Sequence, residues 1–141
     1  IEWTFEYAPG EVKTIGYRKG KEVCSHILRT AGPPRRILLR PDKDVLAAGD
    51  IAHVEVAITD ETGVLCPNEE RLVEFALAGD GIILGSCSPD IRGHWGYALP
   101  KTITSGGKAL VIIRAGAGTG TLKFSAYSGT LLPAFLERAV I

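Results

Sequence analysis

Between Pro89 and Tyr97 the sequence gathers Asp90, Arg92, His94, Trp95 and Tyr97, a cluster of charged and aromatic side chains in one long connection. An aromatic ring can cover the C–H face of a sugar while neighbouring polar side chains bond its hydroxyls, so these residues are candidates for a carbohydrate contact. They also suit a second role, in which Trp95 or Tyr97 plugs the end of a β-sandwich or meets a neighbouring domain, because Trp and Tyr are enriched at interfaces. The packing role outweighs the sugar role.

The other reactive side chains are scattered. Glu69 and Glu70 are adjacent on a polar stretch, and neighbours on an extended chain point apart, so they read as solvated surface. Asp42 and Asp44 read the same way. Retaining glycoside hydrolysis would need two carboxylates about 5 Å apart across a sugar-sized cleft, and no such pairing is expected here. His26, His53 and His94 lie far from one another, and no Cys or His pair has ligand spacing, so neither a metal nor another cofactor is expected. Cys24, Cys66 and Cys87 allow at most one internal disulfide and read as free, partly buried thiols. Ser86, Ser88 and Ser105 sit in glycine-containing stretches without the strand-to-helix turn of a nucleophile elbow. Residues 116–120 resemble a phosphate loop in composition only; with no lysine and helix after them, a hairpin turn is expected.

Positioning these groups requires elements, and the sequence offers strands. Ile1, Trp3, Phe5 and Tyr7 alternate with Glu2, Thr4 and Glu6, which predicts a half-buried strand over 1–7. Runs over 12–17 and 22–30 follow, separated by Pro9-Gly10 and Lys19-Gly20 turns, giving three strands in the first thirty residues. Ala31-Gly32-Pro33-Pro34 then reads as a stiff connector, because its prolines lack backbone donors and favour extended geometry. Beyond it, Val54, Val56 and Ile58 stand against His53, Glu55 and Thr59, and Val73, Phe75 and Leu77 against Glu74, Ala76 and Ala78, so both runs predict core strands with one wet face. The stretch 109–113 is apolar on both faces and suits a central strand; Leu122, Phe124 and Ala126 mark another, and 134–140 the last. Turn signals at 60–63, 79–81 and 116–118 have sandwich spacing, and the absence of an amphipathic helix between strands argues against a doubly wound α/β fold.

The whole chain bounds these readings. Its 141 residues hold one ordinary domain and a small extra element. Apolar residues make up 45% and charged ones 23%, the balance of a chain that folds around a core. Sixteen basic residues cancel sixteen acidic ones, so no net field draws in nucleic acid or an anionic membrane, and no apolar run reaches the roughly 18 residues of a membrane helix. A chain without methionine that opens at Ile1 on a strand pattern reads as a piece of a longer protein.

Taken in order, the motifs resemble the C-terminal immunoglobulin-like domains of family 2 glycoside hydrolases, the β-galactosidase family. Trp3-Thr4-Phe5-Glu6-Tyr7-Ala8-Pro9-Gly10-Glu11 and the Lys19-Gly20-Lys21 hairpin are similar to the end of that family's penultimate domain, and Thr30-Ala31-Gly32-Pro33-Pro34 to its Thr-Ala-Gly-x-Pro junction. Leu46-Ala47-Ala48-Gly49-Asp50, Asp60-Glu61-Thr62-Gly63 with Cys66-Pro67-Asn68, and Val73-Glu74-Phe75 with Gly79 resemble the final domain. The chain departs from the family at Gly85-Ser86-Cys87-Ser88-Pro89, where members have a Gly-Asn-Gly-Asp-Pro-like turn.

The resemblance implies an all-β chain: an immunoglobulin-like β-sandwich over 32–141, preceded over 1–31 by a three-stranded remnant of another immunoglobulin-like domain. It implies a catalytic glutamate pair in an upstream barrel, no catalytic residue in this chain, and a structural role against the other domains of a parent hydrolase exported to the periplasm or beyond. A carbohydrate-binding module using Asp90, Arg92, His94, Trp95 and Tyr97 is the alternative, and a spacer or adhesion domain of a bacterial surface protein is a third. The expected partners are the parent's other domains, a glycan, or a second copy docking through residues 1–30, with neither nucleic acid nor membrane among them.

Overall fold

A hairpin in which both turn residues have positive φ holds the first paired strands of the chain. β1 (Glu11–Arg18) and β2 (Lys21–Arg29) pair antiparallel through a Lys19-Gly20 turn with φ of 52° and 76°. Two consecutive left-handed residues are the type I′ geometry whose twist matches that of paired strands. The computed structural model describes residues 2–92 and 96–141 and contains no helix among them. The chain divides into two units, Ile1–Ala31 and Gly32–Ile141.

The first unit holds two strands, where three were expected. Residues 2–8 take no strand pairing, and Trp3, Phe5 and Tyr7 are exposed. Alternation fixes which side chains share a face, but a strand also needs a neighbouring edge for its backbone groups. Here β1 and β2 pair with each other, and residues 2–8 join neither.

The second unit is a sandwich of nine strands: β3 (Arg36–Pro41), β4 (Val45–Leu46), β5 (Ile51–Thr59), β6 (Leu72–Ala78), β7 (Gly81–Cys87), β8 (Lys101–Ile103), β9 (Lys108–Ala115), β10 (Gly120–Tyr127) and β11 (Ala134–Val140). One sheet has the order β3-β5-β9-β7 and the other β4-β11-β10-β6-β8. The first corresponds to the ABED sheet of an immunoglobulin domain, and β6, β10 and β11 to its CFG sheet. β4 adds a short parallel edge beside β11, and β8 a three-residue edge beside β6. The fold is immunoglobulin-like, as the motifs implied.

Inward side chains of the two sheets interdigitate. Val54, Val56 and Ile58 of β5 and Val111 and Ile113 of β9 face Val73 of β6 and Leu122 and Phe124 of β10, all at most 2% exposed. Phe75 and Phe124 stack with centroids 5.7 Å apart. Each such side chain removed from water contributes about 1.5–3 kcal/mol. β6 shows the expected wet face through Glu74, Ala76 and Ala78, whereas β5 is dry on both faces over its last residues, where Ala57 and Thr59 are also buried.

One connection departs from the sequence reading, and a second turn shows the same crossing between sheets. Residues 116–119 do not close a hairpin, because β9 and β10 belong to different sheets, and the turn after Gly79 likewise carries the chain from β6 across to β7. Glycine turns announce a reversal; which sheet receives the next strand depends on the faces that need burial.

Candidate functional site

The long connection from β7 to β8 is tied down at both ends. Ser86, at the end of β7, points inward and its hydroxyl donates to the carbonyls of Leu99 at 2.8 Å and Lys101 at 3.0 Å. Its N–H donates to the Tyr97 carbonyl at 2.8 Å. This approach requires the preceding glycine, since a Cβ on Gly85 would collide with the Tyr97 carbonyl. The segment 85–87 is thus the end of a bulged strand, with the register shift between Ile83 and Gly85.

Within the connection, Asp90 and Arg92 come together. Arg92 donates from its backbone N–H at 2.9 Å and from Nε at 3.1 Å to Asp90 Oδ1. The Arg92 guanidinium holds the Asp90 carboxyl below its ordinary range and is itself stabilised in its charged form by Asp90. The Arg92 side chain is 87% exposed, and Tyr97 is also open to solvent. His94 and Trp95 lie outside the described residues. The connection therefore presents an ion pair and a tyrosine, with the Asp90 carboxylate already engaged.

Several other carboxylates are held too. Glu69, expected as solvated surface, is half-buried and bonded by the Arg71 guanidinium, while Glu70 is exposed. Asp42 accepts from the His53 backbone and faces the His53 ring, each at 2.9 Å. Burial pushes the Asp42 carboxyl up, but the bonds from His53 outweigh it and leave the group below its ordinary value. The sequence reading missed this pair, although the β3–β5 register, with Pro41 opposite Val54, sets residues 42 and 53 side by side. His26 is exposed on β2.

Asp60 is the carboxylate most strongly tuned by its surroundings, and the sequence reading treated it only as part of a turn. Its Oδ2 accepts from the Gly32 N–H at 2.8 Å. Oδ1 accepts from the Thr62 N–H, the Thr62 hydroxyl and the Val64 N–H at 2.9, 2.8 and 2.9 Å. The Gly32 N–H is the leading cause that holds this carboxyl down to about 2, against the opposing effect of burial. Nearby, the buried Cys66 thiol lies 3.6 Å from the Gly32 carbonyl and is pushed up by burial. All three cysteines are free; Cys87 is half-buried, whereas Cys24, expected to be partly buried, is exposed.

On the outer face of the larger sheet, Tyr127 of β10 and Phe135 of β11 meet edge to face with centroids 6.2 Å apart. Phe135 is 69% exposed and Tyr127 44%. Neither was singled out from the sequence, because an outward aromatic on an alternating strand has no special spacing.

Comparison with known proteins decides the family. Residues 37–137 match glycoside hydrolase family 2 C-terminal domain 5. This chain belongs to that family. It is 34% identical over 139 residues to beta-galactosidase BoGH2A of Bacteroides ovatus, an alignment covering 97% of this chain and 16% of that protein. Among solved structures, a beta-glycosidase from Bacteroides vulgatus superposes with a TM-score of 0.94 at 25% identity, over 98% of this chain and 18% of the other. A glycosyl hydrolase family 2 member from Bacteroides cellulosilyticus gives 0.89 at 27% identity, over 96% and 18%. The chain thus spans about a sixth of the length of such family members.

Proposed function

We propose that this chain is a non-catalytic accessory module of a β-galactosidase-like glycoside hydrolase, and that its work is to pack against that enzyme's other domains. One observation carries the reading: nearly the whole chain aligns with a small part of a beta-galactosidase, through a domain family defined by its C-terminal position. The engaged state of its loop carboxylates supports it, since Asp60 and Asp90 accept from fixed donors and Glu69 is paired with Arg71. An acid–base pair must be free to exchange protons with substrate.

The exposed Tyr127–Phe135 pair is the surface we assign to that packing, with a domain of the parent enzyme as its occupant. Paired aromatic rings on an exposed sheet face are what interface cores use, and most of a relative's length lies outside this chain to supply the partner. The exposed Trp3, Phe5 and Tyr7 call for cover in the same way. In the full-length enzyme, Phe135→Ser should lower the melting temperature while leaving that of the isolated 141-residue chain unchanged. Equal effects on both would remove the packing role from this face. Deleting the module should leave galactoside turnover per folded active site intact; its loss from a properly folded barrel would sink the non-catalytic reading.

A carbohydrate contact along 90–97 is the second reading, favoured by the exposure of Tyr97 and of the Arg92 side chain in one connection. A screen of the chain against galactans, xylans, arabinans and host-type glycans, with Trp95→Ala and Tyr97→Ala controls, tests it. Binding lost in the variants would make the module a substrate-targeting domain.

A further inference from the structure

The connector entering the sandwich contains Gly32-Pro33-Pro34-Arg35. Arg35 is fixed by its N–H donating to the Thr59 carbonyl at 2.8 Å, one step before β3 begins to pair with β5. Pro33 and Pro34 carry no N–H, so neither can be held to the sandwich by a main-chain donor of its own. Gly32 therefore offers the next donor upstream of Arg35, and Asp60 Oδ2 takes it. The Gly32 carbonyl faces the buried Cys66 thiol. Both polar groups of one connector residue are thus engaged by side chains that follow β5.

The two oxygens of Asp60 divide the work. Oδ1 accepts three donors from residues 62 and 64 and closes the turn after β5, while Oδ2 accepts the Gly32 N–H alone. A turn-forming aspartate needs only the first set. We infer that Asp60 is also a lock on the connector, a positioning residue that fixes the direction in which the polypeptide joins the sandwich at Gly32. The two prolines extend its reach, because their restricted φ makes residues 33–34 a stiff link between the points held at Gly32 and Arg35. The depressed carboxyl means that the lock stays charged, and so closed, through neutral and mildly acidic conditions. The lock itself is independent of the accessory-module reading; its value to a parent enzyme, presenting the sandwich in a set direction, rests on that reading.

The division of the oxygens supplies the test. Asp60→Asn keeps one carbonyl oxygen, which serves the three donors of residues 62 and 64, and sets an NH2 against the Gly32 N–H, two donors that cannot bond. Amide hydrogen exchange and 15N relaxation on the full chain should show Gly32 exchanging about tenfold faster or more in the variant, with Thr62 and Val64 as protected as before. Gly32→Ala is the control that should keep the lock, since a Cβ there meets Asp60 at 3.5 Å, an ordinary contact. Unchanged protection of Gly32 in Asp60→Asn, or protection lost at Gly32 only together with Thr62 and Val64, would overturn the inference and leave Asp60 a turn residue.

Discussion

At the scale of single residues, the chemistry of this chain is that of groups held in place. Asp60 has its carboxyl lowered to about 2 from an ordinary 3.8. Because the folded state binds its proton more weakly than the unfolded state, the stabilisation is complete above the unfolded value and fades as pH falls from about 4 towards 2. Acid melts of the native chain and Asp60→Asn should therefore differ at neutral pH and converge at the acid end; a constant gap would mean that the carboxylate's charge is not what matters. Phe124, 2% exposed and stacked on Phe75, sets the scale for packing. Phe124→Ala should cost about 3–5 kcal/mol in urea denaturation, the usual price of emptying an aromatic site in a core.

Among elements, the strands were easier to read than their neighbours. β5, β6, β10 and β11 stand where alternation placed them, because one dry face imposes a period of two. The 1–7 pattern failed because alternation of side chains does not by itself make a strand: residues 2–8 pair with no other segment. The bulged end of β7 shows how strand and connection depend on each other. With the Tyr97 carbonyl lying where a Gly85 side chain would go, Gly85→Ala must displace the connection or unseat Ser86. A loss of about 1–3 kcal/mol is expected, the range for overpacking a tight contact. A melting temperature equal to the native one would show that the connection yields freely.

For the molecule as a whole, the two units call for different behaviour. Residues 32–141 contain both sheets and the buried side chains between them, so this segment expressed alone should unfold in one cooperative step, with circular dichroism and fluorescence transitions coinciding. Residues 1–31 expressed alone should show no stable hairpin, since a two-stranded sheet is marginal in water. Non-coincident transitions in 32–141 would contradict the first expectation, and a cooperative melt of 1–31 the second.

The sequence by itself determined the class of this protein. Periodicity gave strands, glycine and proline gave the breaks, and separated motifs in order gave the family, because each depends on residues near one another in the chain. It also picked out Asp90 and Arg92, which do meet, since their partnership spans two residues. Only the tertiary structure decided where the 79–81 and 116–118 turns lead, that Asp42 and His53 pair, and that Asp60 holds Gly32. Those facts depend on which strands share a sheet and in what register, and register is set by burial across the whole sandwich. Asp60 and Gly32 lie 28 residues apart in sequence, and only that folding brings a turn carboxylate to the backbone donor that precedes the two prolines of the connector.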